Sequence, residues 1–372
     1  MIKEITKRGL SKGFSIVKRI KCFFSKKLIN TLYAPKNVLV GNGSKLERII
    51  HIQIEEIPYV IAQINNGRIY TNRISNISVI SERNLVPLVS WQYQDGKVLP
   101  DSENFLFKGK LLISRPQKKI NANLVSLVTG GGGNYNYYHW LFDSLPRLYL
   151  AQKFLNLGDN TKYLIPEDTH SFQKETLKIL GITKSSYISS ENFQHIRATS
   201  LIATSHPNPN PSIIPKWIFN YLRESFLEKS ENLKKNYIYV SRGDSVNSRR
   251  LLNEDMLIDA LKPIGFEIYT LSELSFSEQV SLFSQAKIIV GVHGAGFANL
   301  TFASKGTVVY ELFSEQYQPN MYESISRLGE LDYNKIVCKA DNSENNAQKS
   351  DLYISEDNIM KIIKHAESII KM

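Results

Sequence analysis

The chain has 372 residues, 42% hydrophobic and 22% charged, with a formal net charge of +11. That composition excludes disordered and fibrous classes, and the length points to two domains with room for a small third. No apolar run approaches the ~18 residues that span a bilayer, and two cysteines, Cys22 and Cys338, supply neither a disulfide framework nor a thiol-based zinc site.

The charge is unevenly placed. The first 36 residues hold ten basic side chains and one acid, Glu4, so they carry +9 and the remaining 336 residues +2. A nearly neutral body argues against nucleic-acid binding. Within this leader Leu10, Phe14, Val17, Phe24, Leu28 and Leu32 recur at helical spacing, with lysines over much of the remaining circumference. Residues 1–37 therefore read as a basic amphipathic helix that lies on an anionic membrane surface through residues 1–34. The alternative is a basic tail, or a helix docked on the protein's own body. Lysines interrupt every candidate apolar core of a secretory signal, so the expected location is cytoplasmic, peripheral on the inner face of the cell membrane.

Residues 38–123 read as a β-rich region. Short runs such as Val38–Val40, Ile49–Ile54, Tyr59–Ile64 and Phe105–Ile113 are separated by turn signals at Gly41-Asn42-Gly43, Asn65-Asn66-Gly67 and Asp95-Gly96. The region has no catalytic signature, and its expected role is a cap or part of an acceptor-side surface. From residue 124 strands alternate with helices. Leu124–Val128 is a strand, followed by Gly130–Gly133, an aromatic helix from about Tyr137, strands at Tyr163–Ile165 and Leu201–Ala203, and a helix between them at Ser171–Leu180. His206–Pro211 has three prolines in five residues and must be a loop; a helix at about Pro215–Glu228 then leads to the boundary at 235.

A second alternating unit occupies 236–345. Its strands are Tyr237–Val240, Glu267–Thr270, Ile288–Val290 and Val308–Leu312; its helices are Glu254–Leu261, Ser275–Gln285 and about Phe297–Ala303. This spacing predicts an α/β architecture with parallel sheets, as two Rossmann-like domains, 124–235 and 236–345, facing a cleft. The tail, 346–372, is a helix with Ile359, Ile362, Ile363 and Ile369 on one face; it packs across onto the first domain or caps its own.

Three constellations can carry chemistry. Gly291-Val292-His293-Gly294-Ala295-Gly296-Phe297-Ala298-Asn299 follows an apolar strand and opens a helix, a setting in which backbone amides can approach a diphosphate. Its spacing is neither the dinucleotide fingerprint nor a Walker loop, and the alternative is a packing turn. Arg242 ends a strand of the same unit, and Arg249 and Arg250 follow in a loop; guanidinium groups at strand C-termini can hold phosphate bidentately, the alternative being a solvated basic loop. Glu311, one strand later, could accept from a ribose diol, although taken alone it reads as an ordinary strand-end carboxylate. In the other unit, His139 and Asp143 stand four apart in Asn136-Tyr137-Tyr138-His139-Trp140-Leu141-Phe142-Asp143. On a helix they share a face, and a carboxylate that orients an imidazole suits it to take a hydroxyl proton. A structural His–Asp pair is the other reading. No Asp-x-Asp stands at a strand end and no His-x-x-x-His occurs, so a metal-dependent transfer site has no support.

These blocks together resemble glycosyltransferase family 61, whose bacterial members are often labelled capsular polysaccharide biosynthesis proteins. The resemblance rests on Asn136-Tyr137-Tyr138-His139 with Asp143 and Pro146, on Ser241-Arg242 with Arg249-Arg250 and Asn253-Glu254, and on Gly291–Gly296 with Asn299 and Glu311. It implies a GT-B-like pair of domains, a nucleotide-sugar donor (UDP-sugar favoured), inversion at the anomeric carbon, no essential metal and no cofactor. The expected enzyme is an inverting sugar transferase acting on a saccharide acceptor, a lipid-linked one, in capsule or other surface-polysaccharide synthesis. On this view His293, Gly294, Ala295, Gly296, Asn299 and Arg242, with Arg249 or Arg250, bind the donor, His293 touching phosphate or sugar and Glu311 the ribose. Asn136, Tyr137 and Tyr138 line the acceptor side, and His139 is the base with Asp143 orienting it, or the reverse. The competing readings are a pyruvyl or phosphoryl transferase of the same polymer and a non-catalytic membrane-associated scaffold.

Overall fold

A computed structural model describes residues 37–38, 47–72, 76–94, 97–98, 117–129, 136–167, 170–210, 212–227, 236–243, 249–341 and 346–371. The basic leader, the run Phe105–Ile113 and the glycines 130–133 lie outside the described residues. The chain divides into two units, the first comprising 1–135, 143–168 and 184–207, the second 136–142, 169–183 and 208–372.

In chain order the first stretch forms β1 (Asn37–Val38), β2 (Glu47–Ile54), β3 (Ile57–Asn65), β4 (Arg68–Thr71), β5 (Asn76–Ser81), β6 (Asn84–Leu85), β7 (Trp91–Gln94), β8 (Lys97–Val98) and β9 (Lys118–Ser126). A short helix α1 (Tyr137–His139) runs through a π-helical turn, Trp140–Ser144, into α2 (Leu145–Phe154). Then come β10 (Thr161–Ile165), α3 (Ser171–Ile179), β11 (Tyr187–Ser189) and β12 (His195–Thr204). All twelve strands belong to one sheet. Its parallel part has the order β12-β9-β10-β11, and β3 and β4 pair antiparallel with β12. Alternate residues Val60, Ala62 and Ile64 of β3 share a core with Ile69, Val79, Leu124 and Leu201, as the two-residue period of a strand requires. The boundary expected at 123/124 falls inside β9, which pairs with both β10 and β12. The β-rich region and the first alternating unit are thus one sheet; the polar start of β9 (Lys118, Lys119) hides that continuity from a reading based on apolar runs.

The second unit contains α4 (Lys216–Phe226), β13 (Asn236–Ser241), α5 (Glu254–Leu261), β14 (Phe266–Thr270), α6 (Phe276–Gln285), β15 (Ala286–Val292), a 3-10 helix at Ala295–Phe302, β16 (Val308–Ser314), α7 (Met321–Leu328), β17 (Asp332–Ala340), β18 (Leu352–Tyr353) and α8 (Glu356–Ile370). Strand order is β14-β13-β15-β16-β17-β18, parallel from β14 to β17. Ile359, Ile362 and Ala366 of α8 enter the same core as Tyr239, Ile288 and Val290, and Tyr310 Oη meets His365 Nδ1 at 2.5 Å. The tail helix therefore packs on the second unit's own sheet.

The architecture is mixed α/β with parallel sheets, Rossmann-like. In the second unit the chain leaves β13 toward β14, then returns to lay β15 on the other side of β13. Such a reversal opens a crevice at the carboxyl ends of the two strands, where open α/β sheets bind ligands. In the first unit β9 and β12 stand in the same relation. Among the described residues no helix is long and apolar enough to cross a membrane.

Candidate active site at the strand ends of the second unit

Arg242 follows the last residue of β13, and His293-Gly294 follow the last residue of β15. The parallel register brings these ends together, Val240 lying opposite Gly291. A side chain at Gly294 would put its Cβ 1.7 Å from Arg242 Nη1, so the guanidinium lies directly on this backbone. The backbone at Gly294 is extended (φ −178°), open to any residue; a side chain here would push the Arg242 guanidinium aside. Gly291 and Gly296 serve packing, because a Cβ would meet Phe297 Cε2 at 2.8 Å and Leu271 Cδ1 at 2.5 Å respectively. The element beyond is a 3-10 helix from Ala295, in place of the helix expected from Phe297. Ala295 and Gly296 occupy its first turn, where no preceding turn supplies carbonyls to their amides.

His293 is 5% exposed. Its Nδ1 lies 2.5 Å from Glu311 Oε1, and Tyr333 Oη donates to Glu311 Oε2, also at 2.5 Å. A carboxylate only accepts, so Nδ1 carries a hydrogen and Nε2 is the ring nitrogen left for chemistry. The imidazole stacks on Phe313, with ring centroids 5.1 Å apart, and Tyr317 and Tyr322 stand at 5.8 and 5.2 Å. Glu311 is fully buried with both oxygens engaged. The carboxylate supports the imidazole, and a ribose diol, the contact expected of it, would have to share or displace His293 or Tyr333.

The two loop arginines separate. Arg250 takes Asp351, with its amide on Oδ1 at 2.7 Å and Nη2 on Oδ2 at 3.1 Å. It is thus a tie to the segment before β18, which leaves Arg249 as the loop arginine nearer the His293 cluster. Arg249 turns its guanidinium over the ring of Tyr317, 5.7 Å from the centroid. Burial lowers its proton affinity, and Tyr317, Tyr322 and Glu311 oppose that effect. Buried Tyr322 senses the whole cluster: burial pushes its hydroxyl well up, Glu311 and Tyr138 add to that, and Arg249 and Arg242 pull the other way.

The Asn136 block divides differently from expectation. Asn136 caps α1, its Oδ1 accepting from the amides of Tyr138 at 2.9 Å and His139 at 3.4 Å. Tyr137 Oη donates to Asn299 Oδ1 at 2.7 Å, and Asn299 Nδ2 donates to Gln279 Oε1 and to Gly296 O. Two residues expected on opposite substrates are thus a buried pair that braces the glycine turn. Tyr138 accepts from Asn208 Nδ2 at 3.2 Å and meets the edge of Tyr322, centroids 6.0 Å apart, so it adjoins the cluster. Half-buried His139 has its ring 5.5 Å from that of Tyr138.

The π-helical turn Trp140–Ser144 begins directly after His139 and contains Asp143. Hydrogen bonding of the i→i+5 type changes the register on which the four-residue spacing argument relied. Asp143 belongs to the first unit, where its companion is Arg147. Arg147 Nε donates to Asp143 O at 3.1 Å, and its Nη1 to Thr204 O at 2.8 Å and Thr204 Oγ1 at 3.2 Å. Burial brings that guanidinium down to about 10, and the charge of Asp143 opposes the shift. Arg147, Tyr322 and Tyr333 escaped the sequence reading. The four-residue step from Asp143 to Arg147 was the available signal for the first; the tyrosines left none.

Among the described residues no group of three His, Cys, Asp or Glu side chains is arranged to hold a metal ion. Residues 137–310 match the family described as Glycosyltransferase 61. The EGF domain-specific O-linked N-acetylglucosamine transferase of Gallus gallus is 34% identical over 94 residues, 24% of this chain and 17% of that protein. The Beta-1,2-xylosyltransferase of Arabidopsis thaliana is 25% identical over 116 residues, 28% and 22% of the two chains. A Beta-1,2-xylosyltransferase of Oryza sativa subsp. japonica is 26% identical over 134 residues, 32% and 25%. The chain thus spans a quarter or less of the length of these relatives. Family and relatives both support a glycosyltransferase. The relatives are eukaryotic O-linked N-acetylglucosamine and xylosyl transferases rather than bacterial capsular proteins.

Proposed function

We propose that this protein moves a sugar from a nucleotide-sugar donor, a UDP-sugar by preference, to a saccharide acceptor, with inversion and with the donor diphosphate held at the β13 and β15 strand ends. The observation that carries the reading is the Arg242 guanidinium seated on the Gly294 backbone beside His293. Fixed cations and amides at that point meet the negative charge that grows on the departing diphosphate, and they lower the barrier without reorganising. Arg242, Arg249 and the amides of Gly294–Gly296 supply this charge in place of a divalent ion. Asn299 and Tyr137 keep the turn in shape. His139, with Asp143, remains the proposed acceptor for the hydroxyl proton, and Asp143 itself the alternative. A lipid-linked acceptor, a part in capsule or other surface-polysaccharide synthesis, and a cytoplasmic-face location through residues 1–34 complete the proposal.

The test is a panel of nucleotide sugars assayed with and without chelator. Arg242→Ala is expected to lower kcat/KM about a hundredfold, the loss of one such donor being worth ~3 kcal/mol, with Tm unchanged. Near-normal turnover of that variant, or a strict need for a divalent ion, would overturn the reading. Transfer of a pyruvyl or phosphoryl group without release of a nucleoside diphosphate would replace it.

A further inference from the structure

His293 is the cation of this site that can be switched on. The guanidinium groups of Arg242 and Arg249 hold their charge, whereas an imidazole gains or loses one near neutral pH. With Nδ1–H committed to Glu311, the neutral ring presents a lone pair at Nε2, which repels a phosphate oxygen. The doubly protonated ring presents Nε2–H, a charge-assisted donor to the same oxygen. A diphosphate at the Gly294 turn therefore discriminates between the two states.

Charged and titratable groups face the ring from several elements. From β16, Glu311 holds Nδ1, and from β17 Tyr333 holds the carboxylate through its other oxygen. Arg242 after β13 and Arg249 before α5 act on Tyr322, whose ring lies 5.2 Å from the imidazole. Tyr317 and Tyr322 present neutral phenols to the ring, and Lys335 of β17 stands over Phe313, 5.0 Å from its centroid. An incoming dianion offsets the two guanidinium charges and leaves Glu311 to stabilise the imidazolium.

We infer that a nucleoside diphosphate binds this turn together with a proton, which settles on His293 Nε2, so that the bound phosphates face three cations rather than two. The inference rests on the reading of the turn as the diphosphate site. Glu311 and Tyr333 are then positioning residues, acting through the imidazole.

The experiment is calorimetric titration of UDP into the full chain at about pH 8, roughly two units above the second phosphate pKa, in buffers of different ionisation enthalpy. The dependence of binding heat on buffer counts protons. The expected uptake is about half to one proton per UDP. His293→Gln should remove the uptake and weaken binding about tenfold or more. Tyr333→Phe, a mild change at a half-buried position, should reduce the uptake. Arg242→Ala should weaken binding while uptake persists. Tight UDP binding without uptake, or the same uptake in His293→Gln, overturns the inference. Absence of UDP binding, or binding indifferent to Arg242→Ala, overturns the underlying reading instead.

Discussion

Each unit buries a histidine, and the two are treated in opposite ways. His195 of the first unit is 1% exposed, with Arg68 Nη1 3.5 Å and Gln117 Nε2 3.4 Å from its Nε2. Burial, then Arg68 and Arg197, depress it to about 3, so it is neutral at any ordinary pH. His293 of the second unit is nearly as buried but sits on a carboxylate. The arginines divide along the same line. Arg147 in the first unit spends its donors on Asp143 O and Thr204 at the end of β12, while Arg249 in the second lies over an aromatic ring, with no carboxylate at ion-pair distance among the described residues. Residue type and burial are alike in both units; the charge of the nearest neighbour decides whether a group holds structure or can meet a ligand.

The largest effect expected from this contrast concerns Arg147. Arg147→Ala leaves the carbonyls of Asp143 and Thr204 and the Thr204 hydroxyl without their buried donor, a kind of loss that costs about 1–3 kcal/mol for each group left unsatisfied. Urea denaturation at pH 7 reads it, and a change under ~1 kcal/mol would show that the clamp does not hold the end of β12.

The acid limb of stability comes next. The unfolded chain binds a proton at His195 near pH 6.5, and the folded chain only near 3. Between those values the unfolded state holds more protons, so stability falls as pH falls, by up to about 1.4 kcal/mol per unit. Unfolding measured at pH 6.5 and 5 should differ by about 2 kcal/mol from this group, and His195→Asn should flatten that part of the profile. An unchanged slope in the variant would mean that another group carries it.

The smallest effect separates neighbouring arginines. Arg250 is 60% exposed in its ion pair, so Arg250→Ala should cost about 1 kcal/mol or less and leave UDP affinity as it was. Arg249→Ala should weaken UDP binding with little change in Tm. Equal effects of the two changes on UDP binding would erase the distinction between them.

Much of the fold was legible because its causes are local. The period-two alternation of β3 and the apolar run of β15 mark strands, and Ser275, three residues before Glu278, marks the start of α6 through a capping box. The 3-10 turn at Ala295 and the π turn at Trp140 were not legible, since each departs from the regular helix that the same residues would form alone. At the site, the strand-end glycines and Arg242 stood out in the chain. The partners of Glu311 and Arg250, Tyr333 and Asp351, were not legible, because they come from other elements of the chain.

Periodicity, turn residues and glycine placement, all short-range properties, were enough to announce alternating strands and helices, parallel sheets and a glycine turn after β15. Which histidine sits against a carboxylate and which among guanidinium groups was decided by strand order, because electrostatic neighbours are chosen by packing across the sheet and not by proximity along the chain.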